Sequence, residues 1–344
     1  MKKTLAILLA CILLIPMLAT ACTPAETHSN AQPDAASEEN TTGELKSGEG
    51  KVVGFSIAQL SGNPFWQVLC DELEAGLAKN GYKLVVVDAT GDVAKQTADV
   101  EDLISQGVNL ILINPFDSSS IVPVTMTAKQ AGIPVAALDI PIDESGYCEF
   151  TCICDNEELG YNMGWYGASK FPEQEVRVIM LSGYAGGIDS YQRRFGFIEG
   201  FSNYQLQTFS RTSLKIVFQG FANYAFDDAN KMMEDALIRV GNDFDILYCE
   251  NDAMALGAVK AMTEAGITGK VVLGIDGWKE FYAGIKAGTV TATGLNSPIE
   301  LAAVTAETVH KFLNGVAVDD WNYTTPDVVD IKNVDKYYDP NSIY

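Results

Sequence analysis

The chain has 344 residues, more than a single core usually organises and enough for two. It carries 45 acidic against 23 basic side chains, a formal charge of −22, which disfavours nucleic acid and anionic lipid headgroups as partners. Its two histidines are His28 and His310, so a multi-histidine metal site is excluded. At the start, Lys2 and Lys3 precede an apolar run over 5–18, interrupted by Pro16, and then Ala19, Thr20 and Ala21. That pattern is a bacterial export signal over residues 1–21, and its apolar run is short for a permanent membrane span.

Leu18-Ala19-Thr20-Ala21-Cys22 resembles a lipobox, in which the cysteine receives diacylglycerol and becomes the first mature residue. It departs from the usual form at Ala19, where a large aliphatic is common. Residues 22–50 are rich in Ser, Glu, Thr, Asn, Ala and Pro and have no apolar cluster to offset the entropy of ordering, so they read as a disordered, lipid-anchored tether. With Cys11 leaving in the signal and Cys22 acylated, Cys70, Cys148, Cys152, Cys154 and Cys249 remain, an odd number that cannot all pair. Cys148, Cys152 and Cys154 lie close together but have neither a C-x-x-C spacing nor a fourth ligand of the usual kind. Cys152 and Cys154, two apart in an extended run, are expected to share one face of a strand as small buried apolar groups. One disulfide or a thiolate metal site are the alternatives.

From Lys51 onward, apolar strands alternate with amphipathic helices. Strands are expected over 52–58, 83–87, 110–113 and 134–138, with helices over 64–79, 93–106 and 119–131 between them. After a strand over 150–154 and a helix from about Asn156, the alternation resumes with strands over 177–181, 215–219, 246–249 and 270–275 and helices over 190–201, 225–240 and 253–265. Such alternation specifies parallel sheets covered on both faces, and two runs of it imply two α/β lobes. In open sheets of this kind a ligand lies beyond the carboxyl ends of the strands. Polar residues stand at those ends: Ser61, Asn63, Asn114, Asp139, Ser182, Asn251, Asp252 and Asp276. Any one of them alone is an ordinary turn or cap residue; their recurrence at one edge of both lobes points to a cleft.

The chain from about Val52 to Val329 resembles the ribose-type branch of the type I periplasmic binding proteins. The residues that carry the resemblance are Ser61-Gly62-Asn63-Pro64-Phe65-Trp66, Leu112-Ile113-Asn114-Pro115, Ile133-Pro134-Val135 leading to Asp139, Asp155-Asn156 followed by Gly160, Asn251-Asp252-Ala253-Met254-Ala255-Leu256-Gly257, and Gly274-Ile275-Asp276-Gly277. The resemblance implies two Rossmann-like lobes joined by three crossover strands, one from 51–154 plus 297–326 and the other from 155–296 plus 327–344. It implies ligand-binding roles for Asn63, for the ring-stacking pair Phe65 and Trp66, and for Asp139, Arg193, Asn223 or Tyr224, Asn251, Asp276 and Asn296. An arginine usual after the aspartate is replaced by Ile140, which changes the hydroxyls that can be recognised and puts ribose itself in doubt. No helix-turn-helix segment precedes Lys51, which sets the related repressors aside.

A sugar offers hydroxyls on its edge and C–H bonds on its faces. Carboxylates accept from adjacent hydroxyls, amides and guanidinium donate, and flat rings cover the faces. Core packing at a helix start is the other reading of Phe65 and Trp66, with Trp66 inward and Phe65 on the cleft. Asn251 and Asp252 suit a helix cap, and Asp252 is expected to cap while Asn251 reaches the ligand. The glycines Gly183, Gly186 and Gly187 do not match G-x-G-x-x-G, and there is no Gly-Lys-Ser, so no nucleotide or other cofactor is expected. With no G-x-S-x-G elbow, the chain is not read as an enzyme. The expected partners are a small sugar or polyol, an ABC permease and a membrane reached through the lipid anchor, with the protein acting as a monomer. Docking of the liganded form on a chemoreceptor or sensor kinase is the alternative use of the same pocket.

Overall fold

The computed structural model describes residues 45–61, 64–171 and 174–344; the export signal, Cys22, Asn63 and most of the expected tether lie outside the described residues. The elements run β1 (Val52–Ile57), α1 (Pro64–Lys79), β2 (Lys83–Asp88), α2 (Val93–Gln106), β3 (Leu110–Asn114), α3 (Val122–Gln130), β4 (Val135–Leu138) and β5 (Thr151–Cys154). Next come α4 (Asn156–Ser169), β6 (Val176–Ser182), α5 (Ile188–Phe209), β7 (Leu214–Phe221), α6 (Phe226–Val240), β8 (Ile246–Cys249), α7 (Asp252–Glu264), β9 (Val271–Asp276), α8 (Lys279–Ala287) and β10 (Ala292–Leu295). The chain ends with α9 (Pro298–Leu313), β11 (Trp321–Thr324), β12 (Val328–Asp330) and a 3-10 turn at Val334–Lys336.

The strands form two six-stranded sheets, β11-β5-β4-β3-β1-β2 and β12-β10-β9-β8-β6-β7. Pairing is parallel throughout except for β12 against β10. The chain passes between the sheets after Cys154, after Leu295 and after Thr324. Alternate residues of a strand go to opposite faces. In β3, Leu110 and Leu112 therefore meet α1 and α9, while Ile111 and Ile113 meet α2 and α3. In β8, Leu247 and Cys249 join the core under α6 and α7, and Ile246 and Tyr248 join the core under α4 and α5. Each lobe is thus built around its own sheet with its own pair of cores.

The folded part begins earlier than composition implied. Lys46 N donates to Asn314 Oδ1 at 2.9 Å and Gly48 N to Asn80 O at 2.7 Å, so residues 46–48 are held on the first lobe. Composition missed these bonds because they use the backbone, which every residue supplies. The five cysteines within the described residues are unpaired, with Cys152 and Cys154 fully buried in β5 as their spacing requires. Burial pushes the Cys152 thiol up to about 11 and the Cys70 and Cys154 thiols to about 12.

Helices α4 and α5 cross at unusually close range. Gly160 and Gly164 of α4 lie against the backbone of Arg193 and Phe197, and Gly196 and Gly200 of α5 lie against the backbone of Glu157 and Tyr161. A side chain at any of the four would overlap a carbonyl oxygen, which cannot rotate away. This approach brings Arg193 on α5 to the start of α4. Gly164→Ala is expected to force the helices apart and lower stability by about 3 kcal/mol, the upper range for overpacking. The midpoint of urea unfolding measures it, and a shift within error of zero would show that the crossing is looser than described.

Candidate functional site

Both sheets present the carboxyl ends of their strands to the gap between the lobes, and a buried cation sits there. Arg193 is 6% exposed. Its Nε donates to Asn156 Oδ1 at 2.8 Å, and its Nη1 donates to Glu250 O at 2.7 Å and to Asp276 Oδ1 at 3.3 Å. Among the described residues no hydrogen bond is made by Nη2. Within the described residues the guanidinium therefore has one arm available to a ligand. Glu250, itself fully buried, fixes the start of α5 by accepting from Gly183 N at 2.7 Å and Ser190 Oγ at 2.5 Å.

Asp276 closes β9 and is 7% exposed; Asn296, just past β10, donates to it at 3.4 Å. Burial, offset by Arg193 and by the Asn296 and Arg193 hydrogen bonds, holds its carboxyl at about 6. Asp139 follows β4 of the other sheet. Burial raises its carboxyl to about 7, with Arg193 opposing the rise and Asp189 and Asp276 adding to it. Among the described residues no hydrogen bond reaches the Asp139 carboxylate. The opposite lobe's charges act on this half-buried group.

The backbone is strained at these positions. The described non-glycine residues with positive φ are Thr90, Asp139, Ser210, Asn223, Tyr224 and Asp276, with Asp139 at 68° and Asp276 at 122°. Four of the six are residues that the resemblance placed at the ligand. Left-handed backbone outside glycine costs roughly 1–3 kcal/mol and persists where the surroundings enforce it, as binding sites do.

The remaining expected residues divide. Tyr224 faces the site, its ring 5.9 Å from the Arg193 guanidinium and its hydroxyl donating to Asp189 Oδ2 at 2.6 Å. Asn223 is exposed and turned toward α6, donating to Asp228 at 3.1 Å. Asn251, not Asp252, is the helix cap. Asn251 caps α7, its Oδ1 accepting from Met254 N at 2.9 Å and its Nδ2 donating to Tyr224 O at 3.2 Å, which leaves its amide engaged with protein. Asp252 holds the loop after β9, accepting from Gly277 N, Trp278 N and Thr293 Oγ1 at 2.8–2.9 Å. A residue one step before a helix has the extended backbone that lets its side chain fold over the first turn, and the helix begins at Asp252.

Phe65 and Trp66 are reversed. Phe65 is 4% exposed because it shares a helical stripe with Leu69, Leu73 and Leu77, all buried, while Trp66 is half-buried one position off that stripe. Their rings meet edge to face at 5.0 Å. Asn114 and Ser182 are buried brackets between strands: Asn114 Nδ2 donates to Leu138 O at 3.1 Å, and Ser182 Oγ accepts from Gln219 at 3.2 Å. Sequence reasoning missed Asp189, Asn156 and Glu250, although Asn156 stood in a quoted motif and Glu250 directly precedes Asn251. A groove of about 370 Å³ beside α4 and β12, lined by Trp165, Tyr166 and Asp327 among others, contains none of these residues.

With this geometry in view, residues 53–317 match the model of the periplasmic binding protein domain. The ribose import binding protein of Bacillus subtilis (strain 168) is 31% identical over 92% of this chain and 95% of its own length. Among solved structures, the ABC transporter periplasmic solute binding protein of Actinobacillus succinogenes 130z with bound D-allose aligns with a TM-score of 0.75 at 26% identity, covering 83% of this chain and all of that one. The Caulobacter myo-inositol binding protein bound to myo-inositol aligns at 0.74 and 26%, covering 86% and 98%. The chain belongs to the periplasmic binding protein family.

Proposed function

We propose that the chain is an extracytoplasmic solute-binding protein that takes a monosaccharide or polyol between its lobes and passes it to the permease of an ABC importer. The observation that carries this reading is the unspent capacity around Arg193. Among the described residues no hydrogen bond engages Arg193 Nη2 in the second lobe or the half-buried Asp139 carboxylate in the first, and Asp276, bonded to both Arg193 and Asn296, stands beside the guanidinium. A ligand bearing several hydroxyls both accepts from the guanidinium and donates to the carboxylates, and neither lobe alone offers the full set. The relatives whose names carry ribose import, D-allose and myo-inositol support the class of ligand.

The same reading makes the chain a carrier without catalytic function, cofactor or metal, acting as a monomer. Residues 1–21 direct export, Cys22 carries the diacylglycerol, and the residues after it act as the tether. Ile140 removes a guanidinium where ribose binders of the resemblance have one, so ribose is expected to bind less tightly than another member of a pentose, hexose, inositol and polyol panel.

A melting-temperature screen over D-ribose, D-xylose, D-allose, L-arabinose, xylitol and myo-inositol is expected to find a stabilising ligand, since binding only to the folded state raises the transition by mass action. Asp139→Ala is expected to weaken that ligand by about 30-fold or more in a titration of the folded variant, a loss larger than the modest change in ligand-free melting temperature that its positive φ and lost carboxyl entail. Wild-type affinity in this variant would remove the cleft as the binding site.

The carboxyl of Asp139 stands above the roughly 3.9 of an unfolded aspartate, so between about pH 4 and pH 7 the native state holds the extra proton. Stability of the ligand-free protein is therefore expected to fall as pH rises through that window, with Asp276 acting in the same direction up to about 6. Asp139→Asn flattens the slope. A melting-temperature profile from pH 4.5 to 8 that is parallel for wild type and variant would contradict the assignment.

For the anchor, the wild-type protein is expected in the membrane fraction of its native cell, and Cys22→Ser is expected to release it, because the diacyl modification gives durable attachment. Finding the wild-type chain in the culture supernatant alone would refute lipidation.

A further inference from the structure

The segment after β12 begins on the second lobe, where Tyr337 and Tyr338 pack against the core under α6 and α7 and Lys279 Nζ donates to Ser342 O. Tyr344 does not stay there. Its ring lies edge-on to Phe65 at 5.8 Å, packed against the first-lobe core, and edge-on to Trp278 of the second lobe at 6.2 Å. The tail thus makes another link between the lobes, and it does so at the ring that opens α1 and the ring two residues past Asp276.

Among the described residues the buried Tyr344 hydroxyl has no hydrogen-bond partner, and neither do Trp278 Nε1 and Asn296 Oδ1. Buried polar atoms are nearly always paired, so three orphans on residues beside one cleft call for a common explanation. Their chemistry is complementary to a polyol: the indole N–H donates to a hydroxyl oxygen, the amide oxygen accepts a hydroxyl proton, and the phenol does either. Asp252 fixes the Trp278 backbone by accepting from its N–H at 2.9 Å, so the indole is held in place before any ligand arrives. Burial pushes the Tyr344 phenol well above its ordinary range, with Asp276 and Asp252 adding to the rise and Arg193 opposing it.

We propose that Tyr344 is a ligand-contacting residue carried across the cleft by the tail, with its ring covering an apolar face of the bound sugar or polyol beside Trp278 and its hydroxyl bonding one ligand hydroxyl. This rests on the reading of the cleft as a sugar or polyol site. Because the tail belongs to one lobe and the ring seats on the other, the contact is complete only when the lobes are together, and Tyr344 reads the ligand in the closed form.

Calorimetric titration of the wild-type protein, Tyr344→Phe and Tyr344→Ala with D-ribose, D-xylose, D-allose and myo-inositol tests it. For whichever compound the wild type binds, Tyr344→Phe is expected to weaken binding roughly tenfold through the lost hydroxyl, and Tyr344→Ala by more than about 30-fold through the lost ring as well. The Phe variant keeps the ligand-free melting temperature, because the hydroxyl it removes has no protein partner, and that separates a ligand contact from a structural one. Unchanged affinity in both variants overturns the proposal. So does tighter binding by Tyr344→Ala, which would make the ring an occupant of the ligand's space. If the wild type binds none of the four compounds, the reading of the cleft falls and the proposal with it, a failure visible before any variant is made.

Discussion

The arrangement of the cleft depends on one buried cation. Removing a guanidinium from water costs several kcal/mol unless nearly every donor is matched, and replacing one partner of such a group is among the more damaging changes a fold can suffer. Arg193 is matched by three different parts of the second lobe: Asn156 at the start of α4, the carbonyl of Glu250 after β8, and Asp276 at the end of β9. It therefore acts as a spacer that sets the distances between these elements. The glycine crossing of α4 and α5 is the backbone half of the same device, since without it the helix carrying Arg193 would stand too far from Asn156.

Around this cation the fold keeps acceptors in conformations that it has to enforce. Asp139 and Asp276 have left-handed backbones at the ends of strands in opposite sheets, and both carboxyls stand above the ordinary aspartate range because burial outweighs the help of Arg193. Under the proposed function, a ligand that donates hydroxyl hydrogens to these carboxyls relieves part of that penalty. Preorganisation of this kind lowers the ordering cost at the moment of binding.

Most of the sheet and helix pattern was legible because the signals are local. Unbroken apolar runs gave β1, β3, β4 and β8, and the charge edges at Asp139 and Asp276 followed from where those runs stop. Beyond β9 the reading thinned, since β11, with the exposed Trp321 and Tyr323, and the three-residue β12 lack the apolar run that marks a buried strand. The placement of the cap at Asn251 rather than Asp252 turned on a single residue at a helix start, and the reversal of Phe65 and Trp66 on the phase of a helical stripe; both lie below the resolution of a periodicity argument. Tyr344 was invisible for another reason. Its partners Phe65 and Trp278 are remote in sequence, and no local pattern reports a tail that changes lobes.

The separation of the cores explains how such a site can move. The four buried clusters follow the faces of the two sheets, and the exceptions at the boundary are single residues: Cys154, which ends β5 but packs beneath α4, and Tyr344, which crosses the other way. Among the described residues no buried apolar cluster spans the two lobes beyond these single residues, and polar groups line the gap. Under the proposed function, a ligand supplying hydroxyl donors to Asp139 and Asp276 has contacts divided between the lobes, so it favours the arrangement with the lobes together. Differential affinity is the only quantity through which a ligand shifts such an equilibrium. Under that reading, the division of Asp139 from Arg193, Asp276 and Asn296 between two separately packed lobes is what creates it.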